Sequence, residues 1–271
     1  MPELPEVETT CRGIEQHCLN SSINDVLVRQ HKLRWPIDDN LAELLSGKKI
    51  IQVARRGKYL QLQFEQHQLM VHLGMSGSLR IVKSDVAAGK HDHVDIVMDS
   101  GQCLRLNDPR RFGSVLWEPG DVFKHKLLAK LGPEPLTEDF TAQLLFDRSR
   151  NRKMPVKSFL MDNHNVVGVG NIYANEALFT AGIHPKRAAG NISLARYKVL
   201  VTEVKGVLAK AIQQGGTTLK DFTQTDGKPG YFVQELQVYG KAGKPCPKCG
   251  ELLQSAKIGQ RNTIFCSDCQ R

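Results

Sequence analysis

The sequence predicts an α+β fold in two parts: an N-terminal β-sandwich with flanking helices, then a C-terminal helical domain with a small β-hairpin appended. Three observations carry this. Short runs of alternating apolar and polar residues recur eight times between residues 23 and 117. The segment Leu131-Gly132-Pro133-Glu134-Pro135-Leu136 then breaks that period, and beyond it apolar residues recur at helical spacing. With 271 residues the chain exceeds the usual size of a single core. The expected division is a sandwich over 1–132, a linker over 133–150, a helical domain over 151–236 and a closing hairpin module over 237–271.

The elements follow in order. Val7, Cys11, Ile14 and Cys18 stand at i, i+4, i+7 and i+11, which predicts a helix over 5–18 with those residues on its buried face and the two cysteines acting as small hydrophobes. Strands are expected at 23–28, 50–54, 59–64, 69–73, 78–82, 94–98, 102–106 and 114–117, with a short helix at 39–45 beside them; Cys103 falls within a strand and reads as buried. Helices are expected at 139–146, 155–161, 172–179 and 193–214. Gly168 and Gly170 ahead of Asn171 read as a turn and helix start, whose backbone donors suit an anion. There is no internal repeat and no low-complexity segment.

Charge narrows the partner. A net charge of +9 and a pI near 9.2 point to a polyanion, with nucleic acid ahead of membrane because no basic amphipathic stripe stands out. Five of the ten residues 148–157 are basic and none acidic, so part of this charge is concentrated rather than spread. No stretch approaches the roughly 18 apolar residues of a membrane span, and four glutamates in the first twenty residues argue against a signal peptide. The expectation is a cytoplasmic protein without a membrane partner.

Four cysteines fall at Cys246-x2-Cys249-x16-Cys266-x2-Cys269. Two such knuckles make a tetrahedral thiolate site for one Zn2+, and four protein ligands leave no open position, so the metal is expected to be structural. Disulfides or unliganded thiols are the alternative, disfavoured in a reducing compartment. At the other end, Pro2 follows the initiator methionine. Once Met1 is removed, Pro2 carries a secondary amine with a pKa of about 8, leaving roughly a tenth unprotonated at pH 7 against under about a thousandth for a lysine. The bland alternative is an ordinary helix start, with Pro5, Glu6 and Glu8 in the first turn.

Several separated motifs occur in order: Pro2-Glu3-Leu4-Pro5-Glu6-Val7-Glu8-Thr9, Arg56-Gly57-Lys58-Tyr59-Leu60, His72-Leu73-Gly74-Met75-Ser76-Gly77, Asp108-Pro109-Arg110-Arg111-Phe112-Gly113, Gly168-Val169-Gly170-Asn171-Ile172-Tyr173 and the four cysteines. With these the chain resembles the bacterial formamidopyrimidine-DNA glycosylases along its whole length. The resemblance implies base excision of oxidised purines such as 8-oxoguanine and formamidopyrimidines from duplex DNA, with AP lyase cleavage by β,δ-elimination, in a monomer of the bacterial nucleoid. It implies a helix-two-turn-helix motif in the helical domain and a zinc finger at 237–271. Pro2 would be the nucleophile that attacks C1′, Glu3 the general acid/base, and Glu6 a supporting residue that orients the site. Lys58, at the start of a strand, would be a phosphate contact and proton donor. Arg261, between the cysteine pairs, would hold phosphate and assist δ-elimination; its high pKa favours positioning over proton transfer. Met75, Arg110 and Phe112 would fill the void left by the extruded base, although Met75 and Phe112 also suit a core. Asn171, Lys153, Lys157 and His91 would contact the DNA backbone. The stretch Gly215-Gly216-Thr217-Thr218-Leu219-Lys220-Asp221-Phe222 resembles the loop that closes over the base. Two rivals stay open: the related endonuclease VIII type, which prefers oxidised pyrimidines, and a non-catalytic zinc-ribbon DNA-binding protein.

Overall fold

The computed structural model describes residues 2–217 and 232–271. The chain forms two compact units: residues 1–129 with 214–233, and residues 130–213 with 234–271. Among the described residues no helix is long and apolar enough to cross a membrane.

The first unit begins with α1 (Leu4–Cys18), whose Leu4, Val7, Cys11, Ile14 and Cys18 are buried as their spacing predicts. Burial pushes the Cys11 and Cys18 thiols up to about 12, which makes them packing groups rather than reactive ones. Eight strands follow, with α2 (Leu41–Leu45) between the first two: β1 (Ile23–Val28), β2 (Gln52–Arg56), β3 (Tyr59–Gln63), β4 (Gln68–His72), β5 (Ser78–Lys83), β6 (Asp92–Met98), β7 (Gln102–Asn107) and β8 (Ser114–Glu118). They form two four-stranded antiparallel sheets, ordered β1-β6-β7-β5 and β2-β3-β4-β8. The core draws on both sheets, including Leu60, Leu62, Leu69 and Val71 from one and Val94, Ile96, Leu104 and Leu106 from the other. All eight expected strands are present. The second starts two residues later than expected because the Ile50 N–H and C=O bond to Ser21 and Asn20 instead of a sheet neighbour.

Tight turns place the chemistry-bearing residues at strand ends. Arg56 pairs with Tyr59 across a two-residue turn in which Gly57 has φ 57°, the left-handed entry such a hairpin needs. Lys58 therefore lies on the turn, one residue ahead of β3.

The second unit contains α3 (Ala142–Ser149), α4 (Val156–Leu160), α5 (Asn171–Thr180), the long α6 (Leu194–Gln213) and the hairpin of β9 (Gln254–Ile258) and β10 (Arg261–Phe265). Within the segment 133–150 lies α3, which packs on α6 inside this unit. The described residues 214–217 group with the first unit. The zinc hairpin is not independent, since the buried Glu176 carboxylate of α5 accepts N–H bonds from Gln237, Val238 and Tyr239 at 2.7–3.0 Å.

Candidate active site

Pro2 and Glu3 are both buried at the head of α1, with Glu3 as the N-cap. Glu6, three residues on, closes a capping box: its Oε2 accepts the Glu3 N–H at 2.8 Å. Its other oxygen, Oε1, accepts both the N–H (2.8 Å) and the hydroxyl (2.9 Å) of Thr217. Of the expected loop over the base, Gly215, Gly216 and Thr217 are described; residues 218–222 lie outside the described residues.

Met75, Arg110 and Phe112 come together on neighbouring loops. The Arg110 guanidinium donates to Ser76 Oγ (3.0 Å) and to the Met75 carbonyl (3.1 Å). Phe112 is 48% exposed, a large apolar ring left in water at a loop tip, so a core role is ruled out for it. Two glycines permit the approach. A Cβ on Gly74 (φ 63°) would fall 2.4 Å from the Phe112 carbonyl carbon, and one on Gly113 would fall 2.7 Å from the His72 oxygen. Asp108, fully buried, fixes the tip by accepting the Gly113 N–H at 2.7 Å.

Beside these loops lies a cavity of about 560 Å³ lined by Leu33, Arg34, His72, Gly74, Met75, Arg111 and Phe112. His72, its ring tilted against that of Tyr59 with centroids 4.8 Å apart, was not singled out by sequence reasoning. Burial, reinforced by the Lys58 and Arg34 charges, pulls its pKa down to about 4. The Gly74 N–H donates to Nδ1 (3.0 Å), so the neutral ring carries its proton on Nε2, a donor beside two arginines. The sequence signal was its place in the quoted His72-Leu73-Gly74 motif.

His91 is half-buried at the end of a loop that is pinned from beneath. Arg105 forks onto Asp95 (2.8 and 2.9 Å) and donates to the Val86 and Ala87 carbonyls, while Asp92 accepts the Gly89 N–H at 2.8 Å. Burial alone would raise the Asp95 carboxyl, but Arg105 and Arg29 outweigh it and hold it below the usual range.

In the second unit Arg261 opens β10 at the exposed hairpin tip, behind a Gly259-Gln260 turn with both φ values positive. Lys153 is exposed within the basic run. Lys157 is fully buried. Its ammonium donates to Asn171 Oδ1 (2.7 Å), Thr263 Oγ1 (2.7 Å) and the Asn262 carbonyl (3.2 Å), joining α4, the start of α5 and the hairpin. Lys157 thus sits behind Asn171 as a brace.

The four cysteine sulfurs lie within 4.8 Å of one another, with Cys246–Cys269 at 3.9 Å and Cys249–Cys266 at 3.5 Å. A tetrahedral site with Zn–S bonds of about 2.3 Å needs sulfurs about 3.8 Å apart, so the residues fit one Zn2+ with no ligand position to spare. Cys246 and Cys266 also pack with Phe179, Val238, Leu253 and Ile264, so the metal seals a small core.

A proline-headed sandwich bearing two closely apposed loops, and a helical unit closed by a four-cysteine zinc finger, define a DNA glycosylase of the bifunctional, lyase type. Family models agree along the chain: the formamidopyrimidine-DNA glycosylase N-terminal domain matches residues 1–115, the glycosylase H2TH domain 131–223 and the zinc finger found in FPG and IleRS 243–271. The chain belongs to the formamidopyrimidine-DNA glycosylase family. It is 59% identical to the formamidopyrimidine-DNA glycosylase of Alteromonas mediterranea and 58% identical to that of Photobacterium damsela subsp. piscicida, over all of each chain. Among solved structures it is similar to the MutM (Fpg) protein of Thermus thermophilus (36% identity, TM-score 0.88, 99% of this chain and 98% of that one). It is also similar to Lactococcus lactis Fpg in complex with abasic-site DNA (34% identity, TM-score 0.93, 99% of both chains).

Proposed function

We propose that this glycosylase excises oxidised purines, formamidopyrimidines and 8-oxoguanine, from duplex DNA and cleaves the resulting abasic site through Pro2. The observation that carries the reading is the wedge of Met75, Arg110 and Phe112 in the same unit as the N-terminal proline: extrusion of a base needs something to fill the stack, and a terminal secondary amine can attack the carbon it leaves. After removal of Met1, the Pro2 nitrogen forms a bond to C1′ as the bond from C1′ to the base breaks and the base departs with a proton. Glu3 protonates the ring oxygen as the sugar opens, giving an iminium. Loss of a C2′ proton then expels the 3′ phosphate, and a further elimination expels the 5′ phosphate.

Lys58, His72 and Arg261 would hold the phosphates flanking the lesion, with Asn171, Lys153 and His91 gripping the backbone further out. Lys157 would act through Asn171. The zinc supplies no chemistry of its own; the four thiolates use it to fix the hairpin that carries Arg261. Lactococcus lactis Fpg has been crystallised both with Fapy-dG DNA and with DNA containing an oxidised pyrimidine. Single-turnover excision from paired 8-oxoguanine and thymine-glycol duplexes therefore tests the substrate class: faster release of 8-oxoguanine is expected, and the reverse order would assign the pyrimidine preference instead. Duplex binding without base release or nicking would point to a non-catalytic role. A monomer acting at the bacterial nucleoid completes the proposal, and light scattering of the free and DNA-bound protein tests the stoichiometry.

A further inference from the structure

We infer that His93 is a positioning residue for the loop 108–113, which carries Arg110 and Phe112, an inference that rests on the wedge reading above. Two independent observations point to it. The first lies in the backbone. The pairing of β6 with β7 shifts register between Asp92 and Val94, which leaves His93 as the extra residue of a β-bulge. On its other side the residue stays tied to the sheet, its carbonyl accepting the Arg29 N–H at 2.8 Å. A bulge re-aims a side chain, and bulges are enriched beside active sites. Asp92 secures this one: its carboxylate accepts the Asn107 side-chain amide (2.8 Å), the Arg80 guanidinium (2.7 Å) and the Gly89 N–H (2.8 Å).

The second observation is where the ring goes. His93 is 7% exposed, and its Nε2 lies 2.9 Å from the carbonyl oxygen of Asp108, the first residue after β7. A carbonyl can only accept, so Nε2 carries the proton. This carbonyl belongs to the Asp108–Pro109 peptide, a rigid plane without an N–H, so its oxygen is the one hydrogen-bonding handle on that plane. The Arg111 N–H also reaches the oxygen, at 3.2 Å, but it lies inside the loop and moves with it. His93 is what ties the plane to the sheet. Pro109 then has a fixed φ, and only its ψ separates the held plane from the peptide of Arg110. A buried imidazole thus sets the direction in which Arg110 and Phe112 leave the sandwich, and it acts through the loop rather than on DNA.

The test is made on the zinc-loaded, full-length enzyme at saturating concentration. Stopped-flow fluorescence of a 2-aminopurine next to 8-oxoguanine reads local unstacking, and single-turnover release of 8-oxoguanine reads excision. Borohydride trapping on a preformed abasic duplex reads the chemistry where no damaged base has to leave the stack, and melting temperatures are measured alongside. His93→Leu is expected to slow both unstacking and release about tenfold, the rate equivalent of one buried hydrogen bond. Trapping on the abasic duplex is expected to stay within about twofold. His93→Gln, whose amide nitrogen can take the place of Nε2, is expected to recover both rates to within about threefold of wild type. His93→Asn is too short to reach the carbonyl and should behave as His93→Leu does; if the leucine variant fails to fold, the Asn and Gln pair decides. An equal loss on both duplexes, a loss that follows the folded fraction, or unstacking at the wild-type rate overturns the inference. Wild-type unstacking in Phe112→Ala, measured on otherwise unaltered protein, overturns the wedge reading first and the inference with it.

Discussion

Replacing Lys157 with methionine separates a buried brace from a phosphate contact. The aliphatic stem is retained, so little cavity forms; what is lost is an ammonium with two 2.7 Å bonds to side chains and one of 3.2 Å to a carbonyl. At roughly 1.5–3 kcal/mol net for each good bond to a charged group, the two short bonds alone amount to about 3–6 kcal/mol. The Thr263 hydroxyl keeps a contact to the Arg261 carbonyl, so the lower half of that range is expected. Urea unfolding of the zinc-loaded protein measures it. The second readout is the salt dependence of duplex binding. A lysine that neutralises one phosphate contributes about 0.9 to the slope of log K against log salt; a buried lysine contributes nothing to that slope, and its loss lowers affinity equally at every salt concentration by releasing Asn171. A slope reduced by about one with stability unchanged would refute the brace.

Three further outcomes are expected. His72 should be neutral at pH 5.5, with an imidazole that titrates near 4 by NMR. Because its folded pKa lies below the unfolded value of about 6.5, the stabilisation is complete above that value and is lost as pH falls from about 6.5 toward 4; at most about 3 kcal/mol is involved, and a His72→Asn variant should lose less stability across that window. A ring titrating near 6.5 would contradict the burial argument. Chelation of the zinc should abolish DNA binding while leaving the fluorescence of Trp35 and Trp117 unchanged, since both belong to the first unit; a shared loss of both signals would show that the finger is needed for the sandwich to fold. Gly74→Ala should lower the melting temperature and slow excision far more than Gly47→Ala. Both positions have positive φ, a strain of roughly 1–2 kcal/mol for a residue with a Cβ, but only at Gly74 does the added carbon meet backbone, so equal effects would mean that the contact between the wedge loops is dispensable.

Local patterns carried most of this fold. Alternation found every strand of the sandwich, because each has at least one face against the core, and the cysteine spacing found the metal site, because the ligands come as two tight knuckles. The loop placement of Met75, Arg110 and Phe112 was legible through the neighbouring glycines, since Gly74 and Gly113 mark where two loops approach too closely for a Cβ. Long-range pairings were not legible. A lysine in a basic run reads as a surface residue, and nothing near Lys157 announces partners 105 and 106 residues away. The bonds from Glu6 to Thr217 span 211 residues, and the return of the chain to the first unit at 214–217 has no compositional mark. His72 ends a strand as an ordinary polar residue would; its burial comes from Tyr59 directly opposite in the neighbouring strand, a matter of register.

The most direct test of the account is mass spectrometry of the borohydride-trapped complex on an 8-oxoguanine duplex, intact and after proteolysis. The account predicts an active protein that lacks Met1, cross-linked once, with the sugar remnant on the nitrogen of Pro2. An active enzyme that keeps Met1, or a cross-link on Lys58 or another lysine, would remove Pro2 from the chemistry and contradict it.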